Sequence, residues 1–350
     1  MFQQSFASRK RERLRLSFIF SFLLLFSLVI ASLLLGRYAI SLPDFTAMIK
    51  TALGHPALPD SKYQLLSTIV FDSRLPRVLS AILVGAALAV GGSAFQAVFR
   101  NPLVSPGLLG VLNGCAFGAA LGMVLNSGLY TVAAFACIAG LCAVFIGILI
   151  ARCIGGHSIM LLLLGGIISN ALFAGLLSLV KYMADPQEQL PGIVFWLLGS
   201  LSTVSLPLLK LAAPVMIIAM LILMALGNML DALSLGDDEA QSLGVPVVPM
   251  RYGVIFLATL ISALTVCLAG VVGWIGLLIP HLTRLIWGAG NKVVMPLSAV
   301  LGAGFLLMCD DLARLLTTNE IPLGVVTELL GAGCFFLLLL VNWRKGSRYA

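Results

Sequence analysis

The chain alternates long apolar runs with short breaks of polar residues, glycine and proline. Runs near 16–35, 78–98, 107–126, 129–151, 158–181, 207–226, 251–271, 274–288, 295–316 and 322–342 carry few charges. About 20 apolar residues suffice for a helix to cross a bilayer, so the pattern predicts an all-α polytopic membrane protein with about ten transmembrane helices. The run at 274–288 is the shortest and is the least able to cross alone. Residues 41–77 are more polar, contain Pro43, Pro56 and Pro59, and read as an outer loop. Residues 154–158 read as a turn. A polar stretch from Met183 to Pro191 precedes the apolar residues 192–199, which are too few to span and predict a short interfacial or re-entrant helix. Gly110, Gly114, Gly118 and Gly122 recur every four residues, a small-residue stripe that lets a neighbouring helix approach closely. Gly85, Ala89 and Gly92 predict a similar face on the second span.

Composition narrows the class. Of 350 residues, 60% are hydrophobic and 10% charged, against about 25% charged in soluble domains. A soluble globular domain, a disordered chain and a secreted disulfide scaffold are all excluded. The seven cysteines lie within or at the ends of apolar runs and read as small hydrophobes. The three histidines show no metal-ligand spacing. The N-terminal apolar run is too long for a signal peptide and lacks a small-x-small site before Arg37, so it reads as a retained span. With ten crossings, the N-terminal cluster Arg9, Lys10, Arg11, Arg13 and Arg15 faces the cytoplasm. So do Arg100, Arg152, Arg251, Arg284, Lys292, Arg344, Lys345 and Arg348, making 13 of the 21 basic residues. That bias agrees with the positive-inside rule and puts both termini inside.

One inner loop is acidic. Asp237, Asp238 and Glu239 suit the first turn of a helix, where carboxylates meet the positive end of the dipole. Gly244 then fits a C-terminal cap and Pro246 a stop. The expectation is a short exposed helix with Ala240 and Leu243 on one side, either a docking surface or an ordinary loop.

The segment from Gly236 to Gly244 resembles the coupling helix of the FecCD/BtuC family of ABC-importer permeases. Further segments are similar to that family: Arg74-Leu75-Pro76-Arg77, Val84 to Ala89, Gln96, Arg100 to Val111, Phe195 to Ser200, Gly273 to His281 with Arg284, Asp311 to Arg314, and Glu320 to Val325. Only about the first 70 residues lack such support. The resemblance implies a type II importer permease, BtuC-like in fold. Residues 1–15 and 344–350 would be basic cytoplasmic tails, 16–343 a single permease domain, and 237–243 the coupling helix. It implies a homodimer in the bacterial cytoplasmic (inner) membrane, working with two cytoplasmic ATPase subunits and an extracytoplasmic substrate-binding protein, and not with nucleic acid. No cofactor is expected on this chain; ATP and Mg belong to the partner, and no G-x-x-x-x-G-K-[ST] loop is present. The chain is then a transport permease rather than an enzyme. Its implied cargo is an Fe(III)-siderophore first, with haem, cobalamin or molybdate as alternatives.

Site residues follow from the same resemblance. Gly236, Asp237, Asp238, Glu239, Ala240, Leu243 and Gly244 are implied to couple to the ATPase. Arg74, Arg77 and Arg314 match outer-face arginines that pair with glutamates of the binding protein; snorkelling at the headgroups is the other reading. Asp310 and Asp311 precede Arg314 by four and three residues, a spacing for ion pairing on one helix face, with a proton relay as the alternative. Gln96, Asn113 and Asn170 suit interhelical hydrogen bonds, and Asn170 lies on the span that lines the pathway in the family. Glu328 departs from the family pattern, which has a small residue after the equivalent of Thr327 and a proline where Gly333 stands. An unpaired carboxylate there is expensive in lipid, which predicts an interhelical or pathway-lining role and disfavours an oxyanion cargo. Two other classes remain: an ion-coupled secondary transporter using Asp310, Asp311 and Glu328, and an intramembrane protease, for which His281 lacks the required motif.

Overall fold

The computed structural model describes residues 2–155, 158–202 and 204–346, all helix and connecting segments with no strand among them. The first helix, α1 (Phe2–Leu34), is followed by α2 (Leu42–Ala52), α3 (Asp60–Ser67) and α4 (Leu75–Val98). Then come α5 (Val111–Val124), α6 (Leu129–Ile154), α7 (Ile159–Met183), α8 (Leu190–Leu197) and α9 (Leu206–Ala225). The rest are α10 (Gly227–Leu235), α11 (Asp237–Ser242), α12 (Val247–Ala269), α13 (Ile275–Trp287), α14 (Asn291–Leu315) and α15 (Leu323–Gly346). Among the described residues, eight helices are long and apolar enough to span, and α5 and α13 are shorter apolar helices. Exposed Phe20, Phe26, Ile138 and Phe145 show that the outer surface of the bundle is apolar, as a lipid-facing surface must be.

The polar region at 41–77 is not the expected loop. Ser41 accepts a hydrogen bond from Asp44 N and Pro43 sits in the first turn, so α2 starts with a capped end. From Asp60 the chain is helical without a break into α4. A π-helical stretch, Thr68–Arg74, leads into Pro76. The proline has no N–H to place in an i→i−4 ladder, and the widened turn ends by giving Leu75 N–H to Val70 O. The predicted N-terminal tail is likewise helical, continuous with α1. His157, in the predicted turn, lies outside the described residues.

Helix α4 is the axis of the bundle. Gly85 meets the backbone of Gly302 in α14, and Gly92 that of Gly276 in α13, so the small-residue face does bring helices into contact. In α5, Gly114 and Gly118 lie against α6; a Cβ on Gly114 would stand 2.7 Å from Ala139 O. Gly110 is not part of that face: it precedes α5 and abuts Asn170 of α7 instead. Helix α13, 13 residues long, covers about 20 Å. The connections around it bond to one another: Ser200 N–H to Ala269 O, Leu323 N–H to Gly199 O and Gly324 N–H to Leu198 O, each 2.9 Å. Irregular backbone inside the bundle is thereby satisfied without water.

Candidate functional site

Ionisable side chains collect at the two ends of the bundle. At one end lies α11, the acidic helix anticipated from sequence, with Asp237, Asp238 and Glu239 in its first turn. Gly244 follows at φ +80°, a left-handed conformation that a side chain would strain, and ends the helix as expected. Ala240 is fully buried, whereas Leu243 is 63% exposed. The two therefore do not share a side. In a helix of six residues the C-terminal residue already lies past the last turn, and Leu243 projects with Asp238, Glu239 and Leu235 into an exposed knob.

The knob is tied to two spans. Asp237 accepts from Arg251, 2.6 Å away at the start of α12, and from Arg100, just beyond the end of α4. Arg100 stands at φ +50°, where non-glycine residues are uncommon. Its Nε donates to Leu233 O at 2.8 Å, bracing α10 as well. Partial burial works to raise the Asp237 pKa, but the Arg251 and Arg100 guanidiniums outweigh it, and the net shift is below the ordinary value of 3.8. At the same end Arg152 lies over the Tyr252 ring at 4.9 Å, joining α6 to α12. Beside the knob opens a cavity of about 440 Å³ lined in part by Gln96, Arg100, Asp231, Arg284 and Asn291. Gln96 Nε2 donates to Gly276 O, and its Oε1 accepts from Arg284. Asp231 accepts from Asn291 N and Nδ2, both 2.7 Å.

At the opposite end Arg74, Arg77 and Arg314 are largely buried. Arg74 is 6% exposed and donates to the carbonyls of Leu33, Leu34 and Tyr38. Arg77 bridges Asp310 at 2.9 Å and Glu320 at 3.0 Å. Arg314 is 8% exposed, pairs with Asp311, lies 3.7 Å from Asp310, and donates to Ser32 O and Oγ. The predicted i,i+3 and i,i+4 pairs are therefore present, and both aspartates are occupied by arginine. The carboxylates and carbonyls that hold them come from α1, α14 and the 317–322 segment, and with Arg37 and Glu320 the three arginines line a cavity of about 230 Å³.

The remaining candidates stand apart. Asn170 is partly buried and accepts from Asn113 Nδ2 at 2.9 Å, the interhelical bond expected of both. Glu328 is exposed on α15. Arg100, Arg251 and Glu320 are not among the site residues the sequence singles out; Arg100 and Glu320 stand at the heads of family-like segments, and Arg251 is marked only by its charge beside a span end.

The FecCD transport family matches residues 23–341. The molybdate import system permease protein MolB of Haemophilus influenzae is 36% identical over 93% of this chain and 95% of its own length. A probable iron chelatin transport system permease of Helicobacter pylori is 36% identical over 91% of this chain and 95% of its own. The hemin transport system permease protein HmuU of Yersinia pestis is 37% identical over 79% and 84%. A solved structure described as an inward-facing conformation of a metal-chelate type ABC transporter superposes with a TM-score of 0.84 at 36% identity, covering 93% of this chain and 99% of that one. The acidic knob, the helix order and these matches agree, and the chain belongs to the FecCD family of ABC-importer permeases.

Proposed function

We propose that two copies of this chain form the pathway of a metal-chelate importer in the bacterial inner membrane, with Fe(III)-siderophore as the foremost cargo. In this reading α11 and both ends of the chain face the cytoplasm. Two ATPase subunits grip α11 there. The observation that carries this reading is the double anchorage of Asp237 to Arg100 and Arg251. A push on the exposed knob is passed directly to α4 and α12 through charge-assisted bonds, and those spans tilt to expose the pathway alternately to either side.

The binding protein docks at the opposite end. Of the three arginines there, Arg77 is the one whose partner, Glu320, is partly exposed at 32%, so a docking carboxylate has access to that pair. Arg74 and Arg314 hold the shape of the surface. Relatives carry molybdate, iron chelate or haem in their names, so cargo is decided by experiment. Proteoliposomes holding this chain, its ATPase and its binding protein are offered ferric siderophore, haem, cobalamin and molybdate. The expected result is ATP-dependent accumulation of the siderophore. Uptake that survives loss of the ATPase and collapses with an uncoupler would instead favour an ion-coupled transporter.

A further inference from the structure

Helix α2, 11 residues long, carries two apolar faces. One is packed: Met48 is fully buried and shares a small core with Ile40, Leu66 and Val70, against which Phe45 and Tyr63 also lie. The other is open: Leu42 is 59% exposed, Ile49 40% and Leu53 74%. At 3.6 residues per turn these three fall within an arc of about 40°, so they form one stripe along the helix rather than scattered single residues. Thr46 lies in the same stripe and Lys50 at its edge. The acidic residue of the helix, Asp44, is on the packed side, bonded to Lys62 of α3 at 2.7 Å.

The depth of α2 says what meets that stripe. The first span ends at Leu34, and Arg74 marks about the same level on the long helix from Asp60 by donating to Leu33 O and Leu34 O. Val70 and Leu66 stand one and two turns farther out, about 6 and 12 Å at 1.5 Å per residue, and Met48 shares its core with both. The headgroup layer is about 5–8 Å thick on each side of the hydrocarbon. A helix with its side chains is about 10–12 Å across, so α2 sits in that layer. Two leucines and an isoleucine in a stripe there, edged by a lysine, have the chemistry of a helix lying on a lipid surface. From this placement we infer that α2 is a membrane-surface anchor. Leu42, Ile49 and Leu53 dip to the acyl boundary, and the Lys50 stem passes beside them to put its ammonium among the phosphates. The anchor bears on the segment between α1 and α2, where Tyr38 O receives Arg74, and so holds the arginine-lined cavity at headgroup level. A partner protein would have to displace lipid from this depth to reach the stripe.

The test needs neither cargo nor ATP. The full chain in nanodiscs, with its ATPase bound, is spin-labelled at Ile49→Cys or at Leu53→Cys, and the signal of the parent's own cysteines is subtracted. Each label is exposed to oxygen, which concentrates in lipid, and to a water-soluble nickel chelate. Phe145→Cys on the apolar outer surface is the lipid reference, and Gln187→Cys in the exposed turn after Asp185 is the water reference. The expected result is an oxygen-to-nickel collision ratio shifted from the water reference towards the lipid one at both positions, and unchanged when the binding protein is added. A ratio equal to that of Gln187→Cys, with or without the binding protein, overturns the anchor. Nickel access that is high alone and lost on adding the binding protein overturns it in favour of a docking surface. Low collision with both reagents overturns it in favour of burial against a second copy.

Discussion

Replacing Arg77 with methionine removes the main partner of a carboxylate that has no water to fall back on. Asp310 is completely buried. Arg77 approaches it through Nε at 3.0 and 2.9 Å, and through its terminal nitrogen at 2.9 Å. Opposite charges about 4 Å apart at an effective dielectric constant of about 20 attract by about 4 kcal/mol. Arg314, at 3.7 Å, retains part of that attraction, while Glu320 is free to hydrate. The expected cost is about 3 kcal/mol, at the lower edge of what breaking a buried pair from one side produces. Removing both charges, as Arg77→Met with Asp310→Leu, leaves no stranded carboxylate and regains most of the loss. Unfolding of purified protein by SDS titration from mixed micelles measures both variants. A loss under about 1 kcal/mol for the single variant, or a double variant as unstable as the sum of the two singles, would show that Arg77 does not neutralise Asp310.

The other predictions concern packing and the knob. Gly118→Val places branched carbon against the Phe135 carbonyl of α6; backbone cannot yield cheaply, so α5 and α6 separate and the folded yield in detergent falls several-fold, with wild-type yield counting against the contact. The stability difference between wild type and Asp237→Asn stays constant from about pH 8 to about pH 5 and shrinks below about pH 4. A carboxylate held below its ordinary 3.8 stabilises the fold above its unfolded value, and the gain disappears as pH falls through the folded one. Thermal unfolding of both proteins across that range checks the sign, and a difference that grows on acidification would refute it.

The spans were legible because hydropathy and length alone decide what crosses a bilayer. Even α13 was placed to within a residue or two at each end, since Gly273 and Gly288 flank its apolar run. In one dimension Pro43, Pro56 and Pro59 look like breakers, which hides the helices of the 41–77 region. Pro43 and Pro59 instead stand at helix starts, and Pro76 follows a widened turn. The acidic helix was legible from its first-turn carboxylates and glycine cap. Its orientation was not, because six residues contain too little periodicity to say that Ala240 faces in and Leu243 out. Arg100 and Asp237 are separated by 137 residues and Arg77 and Asp310 by 233. Nothing local to either partner announces such a pair. That Arg74 and Arg314 are buried is equally invisible in one dimension, since snorkelling, docking and burial all place arginine near a span end.

Uptake per ATP hydrolysed, measured in proteoliposomes for wild type and for Asp237→Asn, bears most directly on the coupling role of α11. With the anchor to Arg100 and Arg251 removed, the ATPase pair still binds and hydrolyses ATP, and uptake per ATP falls about tenfold, the equivalent of about 1.4 kcal/mol of lost coupling. A variant that assembles with its ATPase and keeps the wild-type ratio would contradict force transfer through that helix.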